Sequence, residues 1–181
     1  MARFARPIVL LIALVLVGLV PASSAAGAQP PGYRVTIDAT MAPWGTTDVI
    51  GHGYADIRAS TSWADPPGTY SFNGVNGTRY RNLLERTFFW PWWDDQGNRA
   101  NWAFVWAYNC AFSADGPPAC QDVAFAFVDY ANPALKDFSI TCWWDGGVRP
   151  AGDTWAICDA PNAHQDYSQV VNGSLIVQMP K

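Results

Sequence analysis

Two apolar runs of similar length, Trp102 to Phe112 and Ala119 to Tyr130, flank the turn cluster Asp115-Gly116-Pro117-Pro118, and each carries a cysteine beside that turn. If Cys110 and Cys120 are bonded across an antiparallel hairpin, the numbers of opposed residues sum to 230. Tyr108 then faces Asp122, Trp106 faces Ala124, Phe104 faces Ala126 and Trp102 faces Val128. On the other side Ala107 opposes Val123, Val105 opposes Phe125 and Ala103 opposes Phe127. Large meets small in nearly every pair, as dense cross-strand packing requires. A slip of one residue would set side chains of opposite faces against each other. Both faces of the hairpin are apolar. It must therefore lie between two covering layers, or leave one face to a ligand or partner.

The rest of the chain follows the same style. Tyr33 to Ile37 alternates apolar and polar with period two, and Val49 to Ala59, Thr69 to Phe72 and Tyr80 to Phe89 are further β-rich runs. Phe138 to Trp144, Trp155 to Cys158 and Gln169 to Val177 complete the set. Turn clusters separate them: Asp65 to Gly68, Asn73-Gly74 with Asn76-Gly77, Asp94 to Asn98, Asn132-Pro133, Gly146-Gly147 and Asn172-Gly173. Asn-Gly and Gly-Gly supply the positive φ angles of tight hairpins. A single turn near Pro133 to Lys136 is the one helical expectation. About eight short strands at this spacing predict an all-β fold, an antiparallel β-sandwich or a small β-barrel. No repeat or linker divides residues 29–181, which are expected to form one domain.

Residues 1–28 carry a different signal. Arg3 and Arg6 precede an unbroken apolar run from Ile8 to Val20, and Ala26 and Ala28 suit the −3 and −1 positions of a cleavage site. That is the secretory pattern, and the run is too short to span a bilayer as a helix. The expectation is export, cleavage after Ala28, and a protein free of the membrane thereafter. Cys110, Cys120, Cys142 and Cys158 then predict two disulfides in an oxidising compartment. The pairing 110–120 follows from the register above. For 142–158, a sum of 300 would set Trp144 against Ala156 and Trp143 against Ile157. Nine residues between two cysteines of a β hairpin resemble the neocarzinostatin-type secreted carriers of aromatic ligands. The likeness covers Cys110 to Cys120 alone, the second cysteine pair does not fit that family, and nothing is carried over from it.

Charge narrows the function. The chain has 11 Lys+Arg and 15 Asp+Glu; losing Arg3 and Arg6 takes the basic count to 9 and the net charge from −4 to −6. A nucleic-acid or anionic-membrane binder needs a basic stripe, so neither partner is expected. Half the residues are apolar and 14% are charged, which excludes disorder.

The aromatic surplus is the most unusual feature: ten Trp, all beyond the signal. A fully buried indole wants a partner for its N–H. More rings than a small core needs predict that some stack on a glycan or an apolar small molecule. Trp90, Trp92 and Trp93 before the turn at Asp94, Trp102 and Trp106 on the central hairpin, and Trp143 with Trp144 are the candidates. Tyr108 and Asp122 are candidate polar handles of that surface, and Asp122 among rings would be a possible acid or base.

Catalytic signals are weak. His52, between Asp48 and Asp56, and His164 are candidates beside Asp122 and Tyr108, but there is no G-x-S-x-G elbow and no spare Cys. No His/Cys spacing suits a metal, Asp94-Asp95 lacks a calcium-loop pattern, and no cofactor is expected. Glu85, the only Glu, is expected on a half-exposed face. Asn76-Gly77-Thr78 and Asn172-Gly173-Ser174 match the N-glycosylation acceptor but coincide with turn signals. The leading expectation is a secreted binding domain for a glycan or apolar small molecule. The alternatives are a small cyclase-like barrel or hydrolase with an aromatic pocket, and a protein-binding inhibitor or toxin-like factor.

Overall fold

A computed structural model describes residues 32–60, 67–152 and 155–180. Residues 1–28, expected to be an export signal, and the turn residues Asp65 and Pro66 lie outside the described residues. Eight antiparallel strands follow one another around a closed barrel: β1 (Arg34–Pro43), β2 (Gly51–Arg58), β3 (Gly68–Gly74), β4 (Arg79–Trp93), β5 (Arg99–Phe112), β6 (Ala119–Tyr130), β7 (Phe138–Trp144) and β8 (Ala163–Gln178). Each strand pairs with the next and β8 returns to β1, so no long sheet edge is left unpaired. No helix among the described residues is long and apolar enough to cross a membrane.

The central hairpin has the register derived from its cysteines. Tyr108 pairs with Asp122, Trp106 with Ala124, Phe104 with Ala126, and Cys110 with Cys120, which are disulfide-bonded. Alternation along every strand then sorts the side chains. Val35, Ile37, Ile57, Leu84, Val105, Phe127, Leu175 and Val177 point inward and pack the closed half of the barrel. The opposite faces of β4 to β7 build a second apolar cluster, on the outside of the wall, from Trp102, Phe104, Trp106, Ile140 and Trp144. Of the two alternatives left by the apolar faces, the hairpin is covered on both sides.

The outer layer is covered by the described parts of the β7–β8 connection, residues 145–152 and 155–162, which fold back as a strap over the wall. Trp155 lies edge-on to Trp102 and Phe104, with ring centroids 5.9 and 5.4 Å away. The Trp144 indole N–H donates to Ile157 O at 3.0 Å, and Cys158 is bonded to Cys142. Arg149 fastens the other side of the strap: its guanidinium sits 4.4 Å over the Trp106 ring, and Nη1 lies 2.9 Å from Glu85 Oε2. Its backbone N–H donates to Asp122 Oδ2 at 3.0 Å. Glu85 is the extra residue of a β-bulge, where β4 slips its register against β5 between Leu84 and Arg86. It is buried, not half-exposed, because the bulge turns it under the strap beside Arg149.

Four local expectations are corrected. Trp155–Asp159 is a 3-10 turn instead of a strand, and β7 pairs with β8, so Trp143 opposes His164 and Cys142 opposes Gln165. The second disulfide holds the strap to β7; the register summing to 300 is absent, because Cys158 is not in a ladder at all. Residues 133–136 form no helix; Leu135 N–H returns to Asn132 O in a simple turn. Asn172-Gly173 is not a hairpin turn but lies within β8, beside the bulge where the β1–β8 register shifts between Thr40 and Met41. Gly173 has φ +91°, and a Cβ there would stand 2.1 Å from Asp38 O, so only glycine fits the site.

At the closed end Asn101 and Asp129 reach from β5 and β6 to β8. Asn101 Nδ2 donates to Val177 O at 2.8 Å, and Val177 N–H donates to Asp129 Oδ2 at 2.8 Å. Burial pushes the Asp129 carboxyl up to about 6, against the opposing pull of the Val177 N–H and with a further rise from Asp137.

Candidate functional site

The inward faces of the strands change character toward the other end of the barrel, where β1, β3, β5 and β7 finish. There the interior opens as a cavity of about 290 Å³. Tyr70 and Phe125 form its floor, packed edge to face with centroids 4.7 Å apart. Phe72, Tyr80 and Trp143 are half-buried and stand in its walls. Trp143 faces inward because it follows Thr141 and Ser139 at period two along β7. Phe72 has room because β2 carries Gly51: a Cβ there would fall 2.4 Å from both the Phe72 ring and Asn73 O. Space for a ring is thus made by a missing side chain.

Polar groups converge on the same space. Asn82, Asn109, Gln121, Ser139, Thr141 and Ser168 line it, with one carboxylate, Asp166. Asn82 and Asn109 hold each other: Asn109 Nδ2 donates to Asn82 Oδ1 at 2.7 Å, and Asn82 Nδ2 donates to Tyr70 O at 3.1 Å. These ties fix two amides in place in advance of any ligand. Burial pushes the Tyr70 phenol well above its usual range, so it stays neutral and acts as wall. At the rim His164, opposite Trp143, stacks on that indole at 5.6 Å, while its Nε2 lies 2.8 Å from Asp145 Oδ1. An apolar-walled hollow with a few positioned polar groups is the usual form of a small-molecule site.

The residues singled out from sequence fall in four places. Trp143 lines the cavity and His164 stands at its rim. Trp102, Trp106 and Trp144 are buried in the outer cluster under the strap, and Trp92 is half-buried there, 5.4 Å from Trp102. Trp90 stacks on Trp102 in the same cluster. Tyr108 is exposed on the outer surface, Trp93 is exposed at the end of β4, and Asp122 serves the strap as acceptor for Arg149 N–H. His52 is on the outer face of β1 and β2, with Nε2 2.7 Å from Asp38 Oδ1 and Nδ1 3.2 Å from Thr40 Oγ1. The structure therefore does not bring His52, Asp122 and Tyr108 together with the cavity. The indole N–H groups of Trp102 and Trp106 are buried without an acceptor among the described residues.

Sequence reasoning missed Phe72, Tyr80, Asn82, Asn109 and Asp166. The signal for Asn109 was present: in the 230 register it continues the inward set Ala103, Val105, Ala107, so a polar residue was due inside. Among the described residues no cluster of three His, Cys, Asp or Glu is placed to hold a metal ion. No family model, no curated protein and no solved structure matches this chain.

Proposed function

We propose that the protein is an exported carrier or receptor that takes a small molecule with a flat, apolar body into the mouth of its barrel. The single observation that carries this reading is the aromatic-walled cavity of about 290 Å³ with its fixed amides. Its size is near the lower end of small-ligand pockets. The outer indoles do not favour a glycan groove, because the strap covers Trp102, Trp106 and Trp144, Trp90 and Trp92 are half-buried against Trp102, and Trp44 and Trp93 are separate exposed rings. Two disulfides among the described strands and strap favour an extracellular workplace.

The test is binding of a panel of one- and two-ring aromatic compounds, with short oligosaccharides as the contrasting arm, followed by calorimetry and tryptophan fluorescence. Aromatic compounds should bind, Trp143→Phe should remove the fluorescence change while calorimetric binding persists, and Thr141→Trp should fill the cavity and abolish both. Silence across the aromatic arm overturns the reading. A second reading, catalysis in the same cavity, draws on the His164–Asp145 pair at the rim, since a carboxylate that orients an imidazole is one way to prepare a proton-transfer group. Under that reading His164→Gln removes turnover and leaves binding intact.

A further inference from the structure

The charge inventory of the cavity is one-sided. Among the described residues Asp166 is the only carboxylate in its lining and no Lys or Arg lines it; the imidazole at the rim, His164, stacks on Trp143 with its Nε2 held by Asp145. Asp166 sits on β8 opposite Thr141 of β7, at the level where the cavity opens. Among the described residues its carboxylate makes no hydrogen bond or ion pair, in contrast to Asp38, Asp56, Asp94, Asp122 and Asp145, each of which is engaged. The walls add negative potential of a second kind. Tyr70, Phe72, Tyr80, Phe125 and Trp143 are rings, and a ring presents a negative face. Asn109 spends an amide N–H on Asn82 and keeps its own carbonyl oxygen, which adds a further acceptor.

Rings, acceptors and a lone carboxylate together repel anions and stabilise a cation. We infer that the ligand of this cavity is a small organic cation: a protonated amine attached to an apolar or aromatic body. The ammonium group lies at the mouth against Asp166 with the rings of Trp143 and Tyr80 beside it. The apolar body points down onto Phe72, Phe125 and Tyr70. The negative balance of the whole chain steers such a ligand inward. This inference rests on the small-molecule reading of the cavity and adds the ligand's charge to it.

Three probes with one skeleton separate the two claims: 2-phenylethylammonium, 2-phenylethanol and phenylacetate, titrated calorimetrically into the disulfide-intact protein at neutral pH. The cation should bind roughly tenfold or more tighter than the neutral alcohol, the scale expected of a cation held by rings and a carboxylate. The anion should bind weakest. Asp166→Asn should bring the cation down to near the alcohol's affinity and change the alcohol's affinity far less, and Asp166→Ser should repeat this with a smaller side chain. Alcohol binding as tight as cation binding overturns the charge assignment while the small-molecule reading stands. A cation preference that survives both Asp166 variants removes Asp166 from the site. Binding by none of the three overturns both readings together.

Discussion

Arg149 is the point at which the strap can be tested most sharply. Replacing it with Met keeps an unbranched apolar stem over Trp106 but removes the charge. Glu85, whose side chain is 8% exposed, then loses its partner at 2.9 Å. Breaking a buried pair from one side costs about 3–5 kcal/mol, because the remaining charge is left desolvated. Two observations lower the figure. Arg149 is itself 25% exposed, and Arg86 Nε stays 3.9 Å from Glu85 Oε1. A loss of about 2 kcal/mol from the pair is therefore expected, with about 1 kcal/mol more from the cation–π contact at 4.4 Å. Arg149→Met should thus cost about 3 kcal/mol in urea unfolding of the disulfide-intact protein. In the double variant Glu85→Gln/Arg149→Met most of the pair term should return, leaving about 1 kcal/mol. A single variant that costs less than about 0.5 kcal/mol, or a cycle without coupling, would refute the claim that this pair secures the strap.

Acid should stabilise the closed end. The Asp129 carboxyl is raised by burial to about 6 from an ordinary value near 4, so the folded protein holds that proton more tightly than the unfolded chain. Stability should rise as pH falls from about 6 to about 4, by no more than about 3 kcal/mol and nearer 1 after solvent screening of a half-buried group. Tm measured from pH 7.5 to 5 should increase, and Asp129→Asn should flatten the slope; an equal slope in that variant would contradict it. Cys142→Ala/Cys158→Ala should cost about 3 kcal/mol by loop entropy and raise dye binding as Trp155 lifts from Trp102; unchanged dye binding would mean the strap closes without its bridge. Gly51→Ala should cost about 1–3 kcal/mol, because the new methyl meets Asn73 O and the Phe72 ring. The same variant should also weaken probe binding; full affinity with a normal Tm would disprove the role given to Gly51.

The hairpin from Trp102 to Tyr130 was legible because its information is local and redundant. Two cysteines, a turn and the ten pairs from Trp102–Val128 to Ala111–Ala119 all demand one register. The Asp94 turn was legible for a similar reason: Asp94 Oδ1 accepts the N–H groups of Gln96 and Asn98 within its own loop. The Trp155 to Cys158 run misled because β-branched and aromatic composition marks burial as much as strand. Here the burial is achieved by lying flat on a wall, not by joining a ladder.

Read alone, the chain specified the strand-rich class, the Cys110–Cys120 register and the apolar nature of both hairpin faces, since these depend on period and spacing along one segment; the Cys142–Cys158 bond is present, but the register that argued for it is not. Which face is lumen and which is outside, where the indoles go, and that Asp166, Asn109 and Tyr80 share one hollow were decided only by closing β8 onto β1. Closure assigns an inside by bringing together residues from strands far apart in the chain, and no single stretch of sequence encodes such a meeting.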